Sequence, residues 1–380
     1  MQVRTTSPQA STLATWLVAV LGAGLLVVLL LSFILEGKSS NSGTAAGSTA
    51  SRVAYFEFGA NTDTLWTADA TSPSSRTRLL SIDHASDYGV IPSISPDGTS
   101  FAYTALPPTT AAPKTSSPAG LWVVGLGAKA APKLLAQNAD LLVKPIWSAD
   151  GSSLVYRRTD GQNSVLVIRP VDGGEERVLG YSSTSALFPV GFTDKGDSLY
   201  YIDLNQETGS RLFSVALDSG VSTYVASLSL GLTRDWALSP GGKQLAYLEI
   251  ALNDNGVASR AYVLDLAQGT PEALTDGSSA AFGPVWNRSG ELVVGTLNEA
   301  QGSASLLVVD QTARRIIAGS GRGFEVPISI APDGSGYVVR SFENASATSP
   351  GRSSLTLVGA DGSRRTIATG EVTFVGWTNP

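Results

Sequence analysis

An all-β domain built from repeated four-stranded units, set behind one apolar helix, is the fold class this sequence predicts. Three observations predict it. A tight glycine turn returns six times at nearly even spacing, each copy lies between two strand-like runs, and the first and last parts of the domain each hold a fragment of one further unit. Units of about 40–50 residues with four strands apiece are the blades of a β-propeller. The count expected is seven, with six as the alternative.

Composition agrees with a turn-rich globular domain. The chain has 380 residues, 40 of them Gly and 19 Pro, while 43% are hydrophobic, enough to build a core. Acidic residues number 32 against 26 basic, a net charge of −6 with no basic patch of the kind an unassisted nucleic-acid binder carries. With no cysteine there is no disulfide framework, thiolate nucleophile or Cys-ligated metal.

Residues 13–35 (LATWLVAVLGAGLLVVLLLSFIL) carry no charge. As a helix this run would measure about 34 Å, sufficient to cross a hydrocarbon core of about 30 Å. It exceeds the apolar region of a cleaved secretory signal and lacks a small-residue cleavage site just after it, so it reads as an uncleaved signal anchor. Arg4 precedes it without an acid beside it, whereas Glu36 and Lys38 follow and cancel. That balance puts residues 1–12 in the cytoplasm and the rest outside. Residues 36–51, rich in Gly, Ser, Thr and Ala, read as a flexible linker, and the propeller is expected over 52–380.

The repeat is clearest at Ser95-Pro96-Asp97-Gly98. Ser and Asp side chains bond turn backbone, Pro pre-sets φ, and Gly accepts positive φ. Aligned copies end at Gly98, Gly151, Gly196, Gly242, Gly290 and Gly334. Four residues before each stands Ile94, Trp147, Phe192, Leu238, Trp286 or Ile330; five after stand Tyr103, Tyr156, Tyr201, Tyr247, Gly295 and Val339, the tyrosine being lost from the last two. Residues 53–82 read as the last three strands of a unit, with Tyr55 at the tyrosine position. The C-terminal VTFVGWTNP reads as a first strand, with Trp377 matching Trp147 and Trp286. Joined, they make a seventh blade that closes the ring and removes two sheet edges.

The phrases ISPDGTSFAY, IWSADGSSLVY and LSPGGKQLAY resemble the WD40-like (PD40) repeats of the TolB family over nearly all of residues 53–380. The resemblance implies a propeller that acts as a protein-binding module of the bacterial envelope. The family's namesake places an α/β domain before six blades and has no anchor. The fold and the envelope setting therefore carry over, and the family's own partner does not.

Catalytic motifs are lacking: there is no Gly-x-Ser-x-Gly elbow and no Walker A sequence. The sole histidine, His84, sits in Asp83-His84-Ala85-Ser86-Asp87-Tyr88 and is expected in an exposed polar link. Asp97, Asp150 and Asp333 belong to separate turns and are expected to shape them rather than to act as acid or base. Asn253-Asp254-Asn255-Gly256 suits a hairpin better than a Ca²⁺ loop. No catalytic, metal-binding or cofactor-binding residue is assigned, and no cofactor is expected.

If the glycine turns share one side of the ring, the other side carries the links between blades. Those links offer Asp83, His84, Tyr88, Lys144, Phe188, Arg234, Asp235, Phe282, Arg322, Phe324 and Glu325 as a candidate partner-binding face. The expectation is a membrane-anchored, extracytoplasmic, non-catalytic interaction or scaffold domain with a protein partner in the envelope. The alternatives are a lyase or hydrolase acting on a glycan or peptide in the channel, and an envelope ligand sensor.

Overall fold

The structure is a computed structural model that describes residues 52–70, 72–108, 117–127, 130–161, 163–253, 256–298, 302–310, 313–319, 321, 323–345 and 351–378. The expected tail (1–12), anchor (13–35) and linker (36–51) lie outside the described residues. All regular structure among the described residues is β-strand, and no helix there is long and apolar enough to cross a membrane.

Strands β1 (Arg52–Glu57), β2 (Thr62–Asp69) and β3 (Ser72–Asp83) open the chain. Next come β4 (Ile91–Ile94), β5 (Ser100–Ala105), β6 (Ala119–Gly125) and β7 (Lys133–Ala139), then β8 (Ile146–Trp147), β9 (Ser153–Asp160), β10 (Asn163–Pro170) and β11 (Arg177–Ser182). These two groups join into one eight-stranded sheet through the single pair Ala139↔Arg158. The following four sheets are β12 (Ala186–Phe192), β13 (Ser198–Asn205), β14 (Gly209–Ala216), β15 (Ser222–Ser229); β16 (Leu232–Leu238), β17 (Gln244–Asn253), β18 (Gly256–Asp265), β19 (Pro271–Ala273); β20 (Ala280–Trp286), β21 (Leu292–Asn298), β22 (Ser303–Val309), β23 (Arg314–Ala318); and β24 (Gly323–Ile330), β25 (Gly336–Glu343), β26 (Arg352–Gly359), β27 (Arg364–Thr369). Last is β28 (Val372–Thr378), which pairs antiparallel with β1, in the order β28-β1-β2-β3. First strands of successive groups adjoin, and β28 adjoins both β26 and β4.

The repeated motif folds as its chemistry demands. In all six copies the glycine N–H donates to the carbonyl three residues back: Gly98 to Ser95, Gly151 to Ser148, Gly196 to Thr193, Gly242 to Ser239, Gly290 to Asn287 and Gly334 to Ala331. Each of these glycines has φ between 62° and 86°, the left-handed region that L side chains resist. Asp97 Oδ1 accepts from Ser95 Oγ at 2.5 Å and from Thr99 N–H at 3.1 Å, so the acid shapes the turn. The second-strand tyrosines Tyr55, Tyr103, Tyr156, Tyr201 and Tyr247 are all buried. One of the two breaks in the tyrosine pattern has a reason: a Cβ on Gly295 would lie 2.2 Å from Glu325 O on the next sheet's first strand.

Antiparallel order puts the glycine turns and the third-to-fourth-strand connections at one end of each sheet, here called the turn side. The connections between groups, with the second-to-third-strand loops, lie at the other end, the link side. A Cβ on Gly98 would be 3.0 Å from Trp377 O, and Arg52 pairs with Thr378. Both ends of the described domain therefore emerge on the turn side.

Candidate binding face

The link-side segments bring together aromatic and arginine side chains that are far apart in sequence. Phe188 on β12 lies against Trp236 on β16 at 5.2 Å between centroids, and the Arg157 guanidinium sits 4.5 Å over the Phe188 ring. Arg157 is itself held by Asp140 Oδ2 at 2.8 Å. Farther along, Phe282, Phe324 and Phe342 form a column with spacings of 4.8 and 4.6 Å, and Arg340 lies 5.2 Å over Phe342. Phe324 and Phe342 meet because β24 and β25 place them directly opposite one another. Phe188, Phe282 and Phe324 are legible in the sequence as link aromatics; Trp236, Phe342, Arg157 and Arg340 are not, because only strand register brings them there.

The first strands β12, β16, β20, β24 and β28 each carry a bulge. In β16, Arg234 pairs with Leu248 and Ala237 with Ala246, leaving Asp235 and Trp236 opposite one residue, and Asp235 takes φ 53°. Aspartate tolerates this region better than most residues, and bulges re-aim the side chains beside them. Arg234 Nε lies 4.0 Å from Asp235 Oδ2, and among the described residues neither Nε nor Nη1 finds a hydrogen-bond acceptor.

The other named residues are placed differently. Tyr88 is exposed, Lys144 is half-buried, and Asp83 is exposed and accepts from Thr62 Oγ1 at 2.7 Å. Arg322 lies outside the described residues. Glu325 is buried, not presented: its carboxylate is gripped by Arg364 through Nε–Oε1 and Nη2–Oε2 contacts of 3.1 Å each. His84 corrects the expectation of an exposed link residue. Its side chain is fully buried, with Nε2 3.0 Å from Asp63 Oδ1 and Nδ1 2.8 Å from Ala85 O. Burial pushes the Asp63 carboxyl above its ordinary value, opposed by the Val90 N–H and then by His84.

Chemically, the link side offers aromatic rings and guanidinium groups. Its histidine, His84, is fully enclosed and so is not placed to act as base on an outside substrate. Among the described residues no group of three or more His, Cys, Asp or Glu is arranged to hold a metal ion.

No protein-family model matches the chain, and no curated protein matches it in sequence. Solved structures do match. TolB from Acinetobacter baumannii is 16% identical, with 80% of this chain and 70% of that one covered and a TM-score of 0.51. The β-propeller domain of the Trilobed protease from Pyrococcus furiosus is 13% identical over 84% of this chain and 97% of that one, with a TM-score of 0.54. An oligogalacturonate lyase from Vibrio parahaemolyticus is 9% identical over 85% and 87%, with a TM-score of 0.58. The fold is a TolB-like β-propeller. Identities this low carry the fold alone, and the proteins that share it include both TolB and enzymes.

Proposed function

We propose that the chain is a seven-bladed propeller, its ring closed by the β1–β28 pair, that serves as a non-catalytic interaction or scaffold domain of the bacterial envelope. In this reading residues 13–35 anchor it in the cell membrane, residues 1–12 face the cytoplasm, and the link side engages a protein partner.

One observation carries the choice of face. Arg52, where the linker meets the domain, lies on the turn side, beside Thr378 and the Gly98 turn. A linker of residues 36–51, behaving as a Gly/Ser-type coil, would span about 20–24 Å r.m.s.. It would hold the turn side toward the bilayer and leave the link side, with Tyr88, Phe324 and Arg234, turned away from it. Rigid aromatic rings and arginine are the residue types that anchor protein interfaces.

The test is site-directed photo-cross-linking in intact cells from positions 88 and 324, and from the turn positions 289 and 335. The result expected is one envelope protein joined from both link positions and from neither turn position. Cross-links only from the turn side would overturn the assignment, and turnover of a glycan or peptide by the purified chain would favour the enzyme reading.

A further inference from the structure

Asp63 and His84 meet on the link side with both side chains at zero exposure. The pair sits where two stretches meet: the turn between β1 and β2, and the link 84–90 that leads into β4. Those stretches are also joined through backbone. His84 N–H donates to Asn61 O at 2.9 Å and Asp87 N–H to Ala60 O at 2.8 Å, while Ala85 N–H ties the link to Leu106 O, just after β5, at 3.1 Å. The Asp63 carboxylate extends the same joint, accepting Gly59 N–H at 3.1 Å through Oδ1 and Val90 N–H at 2.8 Å through Oδ2. Gly89 is packed in so closely that a Cβ there would be 2.7 Å from the Phe58 ring.

Proton bookkeeping is constrained. Ala85 O can only accept, so His84 Nδ1 carries a hydrogen. Asp63 already accepts two main-chain N–H groups, and Nε2 lies 3.0 Å from Oδ1, off the ideal hydrogen-bond line but within reach of one shared proton. With that proton present, Nε2 and Oδ1 attract each other. Removing it leaves a carboxylate facing a nitrogen lone pair in a site closed to solvent. Adding a second leaves two hydrogens facing each other. A buried pair broken in either way is strongly destabilised, and the two steps belong to the pair rather than to either residue.

Charged groups on the surrounding elements lie toward solvent or are paired elsewhere. Glu57 at the end of β1 pairs with Arg76, Asp83 accepts from Thr62, Asp87 is exposed, and Glu371, beside Phe58, pairs with Arg340. The elements covering the link from the far side contribute Leu106, Ala119 and Leu141, which do not titrate.

We propose that Asp63 and His84 form a one-proton latch, which fixes link 84–90 and so the position of Tyr88 when singly protonated and frees that link when the proton is lost. This deepens the reading of the link side as the binding face. The latch makes that face pH-responsive, whatever partner it takes.

The chain holds a single histidine and no cysteine, which makes the test direct. ¹⁵N-histidine NMR of the full chain in detergent reports the latch without any substitution. Nδ1 should stay protonated, and any change at Nε2 should coincide with the change at the link, since the proton belongs to the pair. A dye on Ser86→Cys should gain several-fold in collisional quenching as rising pH removes the shared proton. In the Asp63→Asn background, where residue 63 no longer carries a titrating carboxyl, quenching should stay flat, as should that of a dye on Thr184→Cys. Loss of the Nε2 proton with no change in quenching at residue 86, or equal pH responses at residues 86 and 184, would overturn the latch. Neither result depends on a partner, so the latch can fail while the cross-linking result stands, and the reverse.

Discussion

Trp377 Nε1 donates to Ser329 Oγ at 2.9 Å, bonding the strand that pairs with β1 to the first strand of the preceding sheet. The same relationship occurs twice more: Trp147 Nε1 donates to Ser93 O and Trp286 Nε1 to Ala237 O, each at 2.9 Å. Tryptophan at this place in the repeat is therefore a bolt between neighbouring four-stranded groups as well as core. Replacing Trp147 with Phe keeps the apolar bulk but leaves Ser93 O buried without that donor. The expected cost is about 1–3 kcal/mol in urea unfolding. Trp377→Phe should cost less, because Ser329 is only half-buried and its hydroxyl can turn to water.

Removing β28 should be far more damaging than its length suggests. The strand buries Val372 and Val375 and covers the whole edge of β1 from Arg52 to Glu57. A chain ending at residue 370 would expose that edge, and size-exclusion chromatography should show association or aggregation rather than a slightly less stable monomer.

Glu325 and Arg364 should behave as one unit. Arg364→Met leaves a carboxylate of 2% exposure without its guanidinium, at a cost of roughly 3 kcal/mol. Adding Glu325→Gln should recover most of that loss, since no charge is then stranded. Chemical denaturation of the two variants checks this, and equal stability of both would refute it.

The turn aspartates predict acid sensitivity. The Ser148 hydroxyl and the Ser152 N–H hold Asp150 below its ordinary value, and Ser335 does the same for Asp333. A carboxyl depressed on folding stabilises fully above the unfolded value and loses that contribution as pH falls through the folded one. The urea midpoint should therefore drop below about pH 4. The double variant Asp150→Asn/Asp333→Asn should show a shallower drop.

Gly295→Ala should be costly although it introduces only one methyl group. With Glu325 O at 2.2 Å and Pro327 Cδ at 2.9 Å from the new Cβ, the first strand of the next sheet must move, at about 1–3 kcal/mol in thermal or urea unfolding.

Much of this architecture was legible along the chain. The turn residues, the buried tyrosines and the matching tryptophans are local patterns, and the pairing of the last strand with the first followed from counting unit fragments. The candidate face was legible only in part. Phe324 stood out as an aromatic in a link, but its partner Phe342 is two strand lengths away and meets it through register. Glu325 looked like a presented acid because its salt-bridge partner, Arg364, lies on the far strand of the same sheet.

His84 marks the boundary most clearly. By itself the sequence determined the turns, the strand alternation and the order of units, because those depend on φ preference and on residues a few positions apart. Tertiary structure alone decided that the histidine is buried against Asp63, that Glu325 is spent on Arg364, and that Arg52 emerges opposite the link side. Each of these depends on which strands become neighbours, and burial, ion pairing and direction of exit are properties of neighbours in space.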